Sequence, residues 1–457
     1  MTATTDVLSD LVAALPAGSV VSDPDILASY RQDWARDPDA GMPAAVVRAN
    51  TTADVVATMH WASTHRVPVV PRGAGSGLSG GSSAVEGGIV LSLERMRTVT
   101  VDVPTRTVLA QPGALNAEVK AAAAAEGLWY PPDPSSFEMC SIGGNIATNA
   151  GGLCCVKYGV TTDYVLGLEV VLADGTVVRM GGPRIKDVAG LSLMKLFVGS
   201  EGTLGVITEV LLRLLPARPP ASTLVASFGT FEAAAEAVVA ITATLRPSML
   251  ELMDRTSINA VEDMFSMGLD REAGALLLAQ SDAPGAAAAA EVAVMEAAVT
   301  AAGADEAFST NDPAEGEAFT VARRSAFLAL EKKGDLFLED VGVPIPVLPQ
   351  LVRGLQAVAE RNDIMVATVA HAGDGNTHPL VVYDADNAES VRRARVAFGE
   401  IMDLATELGG TITGEHGVGR LKKAWLPAYL GPDLLALNKR VKAALDPAGI
   451  LNPGAVF

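Results

Sequence analysis

Residues 72–81 read Arg-Gly-Ala-Gly-Ser-Gly-Leu-Ser-Gly-Gly, and the apolar run Val67-Pro-Val-Val70 stands just ahead of them. Gly75, Gly77 and Gly80 spell G-x-G-x-x-G, a pattern that seats a dinucleotide pyrophosphate on a helix N-terminus when a strand precedes it and a helix follows. Here a second strand pattern follows instead, Gly88-Ile-Val-Leu-Ser-Leu93, so that reading fails on context. What remains is a strand, a loop and a strand, with small or absent side chains from Gly73 to Gly77 and Arg72 at the edge. Backbone N–H groups laid open in this way form a nest for an anion, and a cofactor carrying a diphosphate is expected.

Two more glycine-dense stretches lie downstream, Ser141–Gly152 (SIGGNIATNAGG) and Gly199–Ile207 (GSEGTLGVI). Upstream, Ala44–Val47, the amphipathic Thr52–His65 and Val67–Val70 read as a βαβ unit. After Pro216–Pro220 (PARPP), the composition shifts to Ala-rich helices and apolar strands. Strands are expected at Leu224–Phe228, Met249–Met253, Gly274–Ala279 and Leu336–Val343, alternating with helices such as Phe231–Thr244 and Leu348–Arg361, which makes the second domain α+β. Asp433–Leu445 reads as a helix, followed by a turn at Asn452-Pro453-Gly454.

The chain has 457 residues, 49% of them hydrophobic, enough for more than one packed core. With 34 Lys+Arg against 53 Asp+Glu its net charge is -19, which repels nucleic acid and anionic membrane surfaces. Cys140, Cys154 and Cys155 cannot build a disulfide framework and fit a reducing compartment, reading as small buried hydrophobes. The N-terminus lacks the features of a signal peptide, and no run is long and apolar enough to span a bilayer. A cytoplasmic protein is expected, if anything peripheral to the inner face of the membrane through a partner.

Only five histidines occur, and three fall in two short motifs. In His371-Ala-Gly-Asp-Gly-Asn-Thr-His378, turn residues Gly373–Asn376 separate two apolar runs, Ile364–Ala370 and Leu380–Tyr383, so a hairpin is expected with the two imidazoles roughly opposite each other. Asp374 fits a turn role. Gly414-Glu415-His416-Gly417-Val418-Gly419 adds a carboxylate and a third imidazole. Two His and one Glu are the donor set of a catalytic Zn²⁺ or related divalent site, and equally a turn or core pair, because closeness to Glu415 is not visible in sequence. His60 and His65 read as surface or cap residues.

Taken together, Arg72–Gly77, Pro132-Asp-Pro134, Gly143-Gly-Asn145, Asn149-Ala-Gly-Gly152 and Gly199–Gly205 resemble the FAD domain of the vanillyl-alcohol oxidase / p-cresol methylhydroxylase flavoproteins, over roughly residues 40 to 215. The two histidine motifs and Asp446-Pro447 … Leu451-Asn452-Pro453-Gly454 resemble the D-2-hydroxyacid dehydrogenases of that superfamily, which include the glycolate oxidase flavin subunit, D-lactate dehydrogenases and D-2-hydroxyglutarate dehydrogenase. The resemblance implies an α+β fold, with a two-part FAD-binding domain (residues 1–217), a cap domain with an antiparallel sheet and a metal-bearing hairpin (218–415), and a C-terminal segment returning to the FAD domain (416–457). It implies FAD contacts from Arg72, Gly73, Ala74, Gly75, Ser76, Gly77, Ser79, Pro132, Ser141, Gly143, Gly144, Asn149, Gly151, Val206, Ile207 and Asn452. It further implies His371, His378 and Glu415 as ligands of a divalent metal such as Zn, His416 as catalytic base, and Arg323 as the partner of the substrate carboxylate, with Arg324 as the alternative.

The chemistry so implied is oxidation of a 2-hydroxy acid by hydride transfer to flavin N5, with metal-assisted deprotonation of the hydroxyl. Ser76 stands where members with covalently bound FAD carry a histidine, so non-covalent FAD is expected unless a cysteine anchors it. Leu338 and Leu380 replace a Lys and an Asn of the dicarboxylate-specific members, favouring glycolate or D-lactate over D-2-hydroxyglutarate. The rival readings are a 2-hydroxyglutarate-type enzyme and a non-catalytic flavin-binding subunit. No iron–sulfur cysteine pattern is present, so the electron acceptor is left open among a quinone, a carrier protein, a partner iron–sulfur subunit and O₂.

Overall fold

The computed structural model describes residues 2–457, with side chains from Leu8 onward. The chain forms two compact units. The first comprises the residues up to Gly151, Val160–Ala217 and Glu415–Phe457; the second comprises Gly152–Gly159 and Arg218–Gly414. The segment 152–159, expected with the FAD-binding part, is therefore placed in the second unit, and the later crossing falls between residues 414 and 415. Among the described residues no helix is long and apolar enough to cross a membrane.

In the first unit the helix Thr52–His65 starts at a capping box. The Thr51 side chain accepts from the Asp54 N–H, and the Asp54 carboxylate accepts from the Thr51 N–H. Val55, Met59 and Ala62 of the helix are buried in one cluster with Val47, Val69, Ile89 and Leu91 of the sheet beneath. Ala45–Arg48 and Val69–Arg72 are not neighbours in that sheet, as a simple βαβ unit would make them. Ile89–Ser92 lies between them, parallel to both, and Val20–Val21 adds an antiparallel edge. Parallel neighbours need a long crossover, usually a helix. Residues 73–88 make this one as coil, which leaves the glycine loop at the carboxyl ends of parallel strands, where open α/β sheets bind ligands. A second, antiparallel sheet runs in the order Val99–Asp102, Thr107–Ala110, Val206–Arg213, Val165–Val171, Val177–Gly181.

The second unit is built on an eight-stranded antiparallel sheet. Met249–Asp254 pairs with Met365–His371, which pairs with Asn376–Tyr383. Met253, Val369 and Leu380 share one apolar cluster with Ile258 and Val261 of the helix Arg255–Phe265, Ala322 of Pro313–Arg324, and Ala326 and Leu330 of Ala326–Glu331. Helices Phe231–Thr242, Leu348–Asn362 and Ala388–Glu407 pack on the same sheet and on one another. The single strand expected over Leu336–Val343 is two, Asp335–Leu338 and Val341–Gly342. Between them stand Glu339 and Asp340, both 0% exposed, and Asp340 accepts from Thr413 Oγ1 (2.6 Å) and Gly414 N–H (2.9 Å). A carboxylate that must reach those donors cannot also alternate with the pleat. Segment 152–159 is held in this unit by Asp282, whose buried carboxylate takes the Tyr158 hydroxyl (2.5 Å) and the Lys157 ammonium. Burial of Tyr158, followed by its bond to Asp282, raises the phenol's pKa well above its usual value.

Candidate functional site

The glycine loop is shaped from behind. Arg72, expected to flank the cofactor, is 8% exposed and donates to the carbonyls of Ser82 (3.2 Å) and Gln32 (2.9 Å), with its guanidinium over the Tyr30 ring. It therefore supports the loop. A Cβ on Gly75 (φ +72°) would lie 2.2 Å from that guanidinium, so the close approach requires glycine. Asp33 accepts from Ser82 N–H and from the Ser83 hydroxyl, while Trp34 N–H and Ala35 N–H donate to the carbonyls of Gly75 and Gly77. Burial raises the Asp33 carboxyl above the ordinary carboxylate range.

With the carbonyls of Gly75 and Gly77 held, their N–H groups and that of Ser76 are left. Among the described residues none of these three finds an acceptor, and all three residues are half-buried. Ser141 closes the loop's other side. Its hydroxyl caps the helix Ile142–Thr148 by accepting from Gly144 N–H (3.4 Å) and also accepts from Ala74 N–H (3.2 Å), and it would collide with a Cβ on Gly73. Gly143 lies against Pro112. Asn116 links the buried Pro132 carbonyl (3.3 Å) to Asn145 Oδ1 (3.0 Å) on that helix, and Asn149 ends the helix in a left-handed conformation. Gly151 is buried at the last position of this stretch of the first unit. Small groups, open N–H donors and a nearby helix N-terminus fit a diphosphate.

Four of the other expected cofactor contacts are placed as follows. Asn452 is 1% exposed, and its amide donates to the carbonyls of Gly81 (2.8 Å) and Glu201 (2.7 Å) while its Oδ1 accepts from Arg420 (3.0 Å). It is a strut between loops. Ser79 donates to the Gly417 carbonyl at 2.8 Å. The Val206 side chain is in the sheet core at 0% exposure, and Ile207 beside it is 7% exposed. Sequence reasoning missed Glu201, whose carboxylate accepts from Val418 N–H and Gly419 N–H, both at 2.8 Å. Burial pushes Glu201 up to about 7, against the pull of those two donors and of Lys422. Glu415 and His416 belong to this unit, with His416 Nε2 3.7 Å from Glu415 Oε1.

In the second unit the hairpin register pairs His371 with Asn376 and His378 with Val369. The two imidazoles are thus diagonal on one face and not opposite. Their ring centroids are 5.1 Å apart, and a ring nitrogen of each lies within 4.8 Å of one on the other. Asp374 does take a turn role, accepting from Asn376 N–H at 3.1 Å. Glu251 stands behind His371, with Oε1 2.9 Å from Nδ1, and its Oε2 is 2.9 Å from an Arg323 guanidinium nitrogen. Asp340 stands behind His378 at 3.7 Å, beyond hydrogen-bond reach. Arg323 is buried and Arg324 half-buried. Glu251 had one legible sign, a single acid inside the apolar run Met249-Leu-Glu-Leu-Met253. Two imidazoles on one face, one of them hydrogen-bonded to a carboxylate, fit a divalent ion of the zinc type. His60 and His65 are exposed.

Cys140 is 5% exposed beside Asn145, and burial raises its thiol pKa; Cys154 is in the second unit, taking a bond from Arg218 at 3.5 Å. Neither is an exposed, activated thiol.

Two family models match the chain, the FAD binding domain over residues 43–181 and the C-terminal domain of FAD linked oxidases over residues 218–456. The "Glycolate oxidase subunit GlcD" of Bacillus subtilis (strain 168) is 42% identical over 419 residues, covering 91% of this chain and 89% of that one. The "D-lactate dehydrogenase" of Archaeoglobus fulgidus is 36% identical over 424 residues, covering 92% of each. The solved structure of p-cresol methylhydroxylase with substrate bound matches with a TM-score of 0.84 at 18% identity, over 100% of this chain and 97% of that one, a likeness of fold alone.

Proposed function

Because the chain belongs to the FAD-linked oxidases and is an FAD-linked oxidoreductase, we propose that it oxidises a small D-2-hydroxy acid, glycolate or D-lactate, to the 2-oxo acid. The observation that carries the proposal is the buried face bearing His371, His378, Glu251 and Arg323. FAD, when bound, supplies the hydride acceptor. A divalent ion, when bound, lowers the pKa of the substrate hydroxyl. The chain's own residues do the rest. Gly75, Ser76 and Gly77 present N–H groups to the diphosphate. His371 and His378 hold the ion, with Glu415, the residue after the anchored Gly414, as third ligand. Arg323, steadied by Glu251, is the partner of the substrate carboxylate. His416 takes the hydroxyl proton.

The names of the relatives support a 2-hydroxy acid as substrate, and Leu338 and Leu380 bear on its size. They pair directly across adjacent strands and belong to the apolar cluster beneath the helices, with Leu380 at 0% exposure. That strip offers no partner to a distal carboxylate, and burying an unpaired charge there costs several kcal/mol. The test is a dye-coupled assay across glycolate, D-lactate, L-lactate and D-2-hydroxyglutarate, before and after chelation. Glycolate or D-lactate is expected to exceed D-2-hydroxyglutarate in kcat/KM by at least about tenfold, or ~1.4 kcal/mol. Chelation should abolish turnover while the flavin spectrum persists. D-2-hydroxyglutarate as best substrate would overturn the size argument, and full turnover after verified metal removal would overturn the metal assignment.

A further inference from the structure

We propose that Glu251 is a positioning residue which sets two groups at once, the tautomer of His371 and the direction of Arg323. The inference rests on the metal and substrate roles proposed above, but its observations lie within the second unit.

The Glu251 side chain is 1% exposed and those of His371 and Arg323 are each 4% exposed, so bulk solvent barely reaches any of the three. Both Glu251 oxygens lie close to His371 Nδ1, at 2.9 and 3.0 Å, and Oε2 is 2.9 Å from Arg323. A carboxylate only accepts hydrogen bonds. His371 must therefore carry a proton on Nδ1, so that the neutral ring has its lone pair on Nε2. That is the tautomer in which an imidazole ligates a metal, and a carboxylate on the far nitrogen also makes the ligating nitrogen more basic. The opposite tautomer would set lone pairs against each other at about 3 Å in a buried site.

The same carboxylate fixes the guanidinium. Arg323 lies on the helix Pro313–Arg324 and Glu251 on the strand Met249–Asp254, so their contact ties helix to sheet beside the hairpin. A guanidinium with one nitrogen held has lost most of its rotamer freedom, so its direction is set before any substrate arrives. Glu251 on its strand is rigid because its neighbours Leu250 and Leu252 are fully buried. One side chain thus couples the hold on the metal to the hold on the substrate carboxylate, and a single substitution should weaken both. Removal of Arg323 alone should weaken only the second.

Full-length flavoprotein carrying Glu251→Gln keeps the volume and one acceptor oxygen, but its amide nitrogen is a donor and cannot serve His371 and Arg323 together. Zn²⁺ affinity, measured by competition with a chromophoric chelator, should fall by about 10- to 100-fold, the usual effect of losing such a partner. KM for glycolate or D-lactate at saturating Zn²⁺ should rise by about tenfold or more, while FAD content and the thermal melt stay near wild type. Arg323→Lys provides the contrast, with KM raised and Zn²⁺ affinity kept. If Glu251→Gln is poorly folded, Glu251→Asp, with the same charge on a shorter reach, is measured in the same way and should show the same paired losses in smaller measure. Wild-type Zn²⁺ affinity and KM in a folded Glu251 variant, alongside weakened Zn²⁺ binding in His371→Ala, would refute the role of Glu251 and leave the metal reading standing. If the wild-type protein takes up no Zn²⁺ at all, the metal reading falls and this proposal falls with it.

Discussion

Asn452→Ala removes a side chain that touches no reacting group, yet it should loosen the flavin. In the native protein the amide donates to the carbonyls of Gly81 and Glu201 at 2.8 and 2.7 Å and accepts from Arg420 at 3.0 Å, at a position 1% exposed. Each neutral bond contributes about 1 kcal/mol net and the charged one about 1.5 kcal/mol or more. Arg420 keeps its bond to the Pro453 carbonyl (2.9 Å), which holds the third contribution to the low end. Asn452 also has φ +42°, where alanine adds about 1 kcal/mol of strain. The sum is about 4.5 kcal/mol, a large part of the roughly 5–15 kcal/mol that holds a typical domain together. Urea titration followed by flavin fluorescence, which rises as FAD is released, should show an earlier midpoint for the variant and at least about tenfold weaker retention of FAD. Zn²⁺ affinity should fall less than FAD retention, since two of the three proposed ligands, His371 and His378, lie in the other unit. An unchanged midpoint with unchanged FAD retention would refute the idea that the C-terminal turn ties the glycine loops together.

Glu201, raised to about 7 by burial, binds its proton more tightly folded than unfolded, so stability falls as pH climbs from about 4.5 to 7, by about 3 kcal/mol. Glu201→Gln lacks that group, and urea midpoints at about pH 5 and about pH 8 should move less in the variant than in wild type; parallel shifts would show that Glu201 does not titrate in this window. Acid precipitation should leave the yellow colour in the supernatant, since Ser76 offers no attachment point, and a coloured pellet would point to a cysteinyl link. His416→Ala should lower kcat by about 10² to 10⁴ with a smaller change in KM, and an unchanged kcat would reassign the base.

What could be read from sequence was set by how local the determining contacts are. Thr52–His65 was legible to the residue because its capping box and apolar spacing are both written in adjacent positions. The nest was legible because glycine at Gly73, Gly75 and Gly77 has few other uses. The insertion of Ile89–Ser92 between its neighbours was not, since strand order depends on pairing between distant segments. Nor were the carbonyls that Arg72 and Asn452 serve, which are brought to them by residues up to several hundred positions away. Glu251 was overlooked because its partners, His371 and Arg323, sit on two other elements.

The chain leaves the first unit at Gly152, re-enters it at Val160, leaves again at Arg218 and returns at Glu415. On the ribosome this order inverts the usual rule that what is translated first is finished first. By the time residue 414 has emerged, every segment of the second unit exists, whereas the first still waits for the stretch in which Asn452 N–H pairs with the Val69 carbonyl and Val456 N–H with that of Gly419. The cap can consolidate on the nascent chain, and flavin capture becomes a late event of biosynthesis. Ribosome-stalled chains in which residue 414 has just emerged, with the returning segment still inside the ribosome, should therefore resist protease across the cap while remaining colourless.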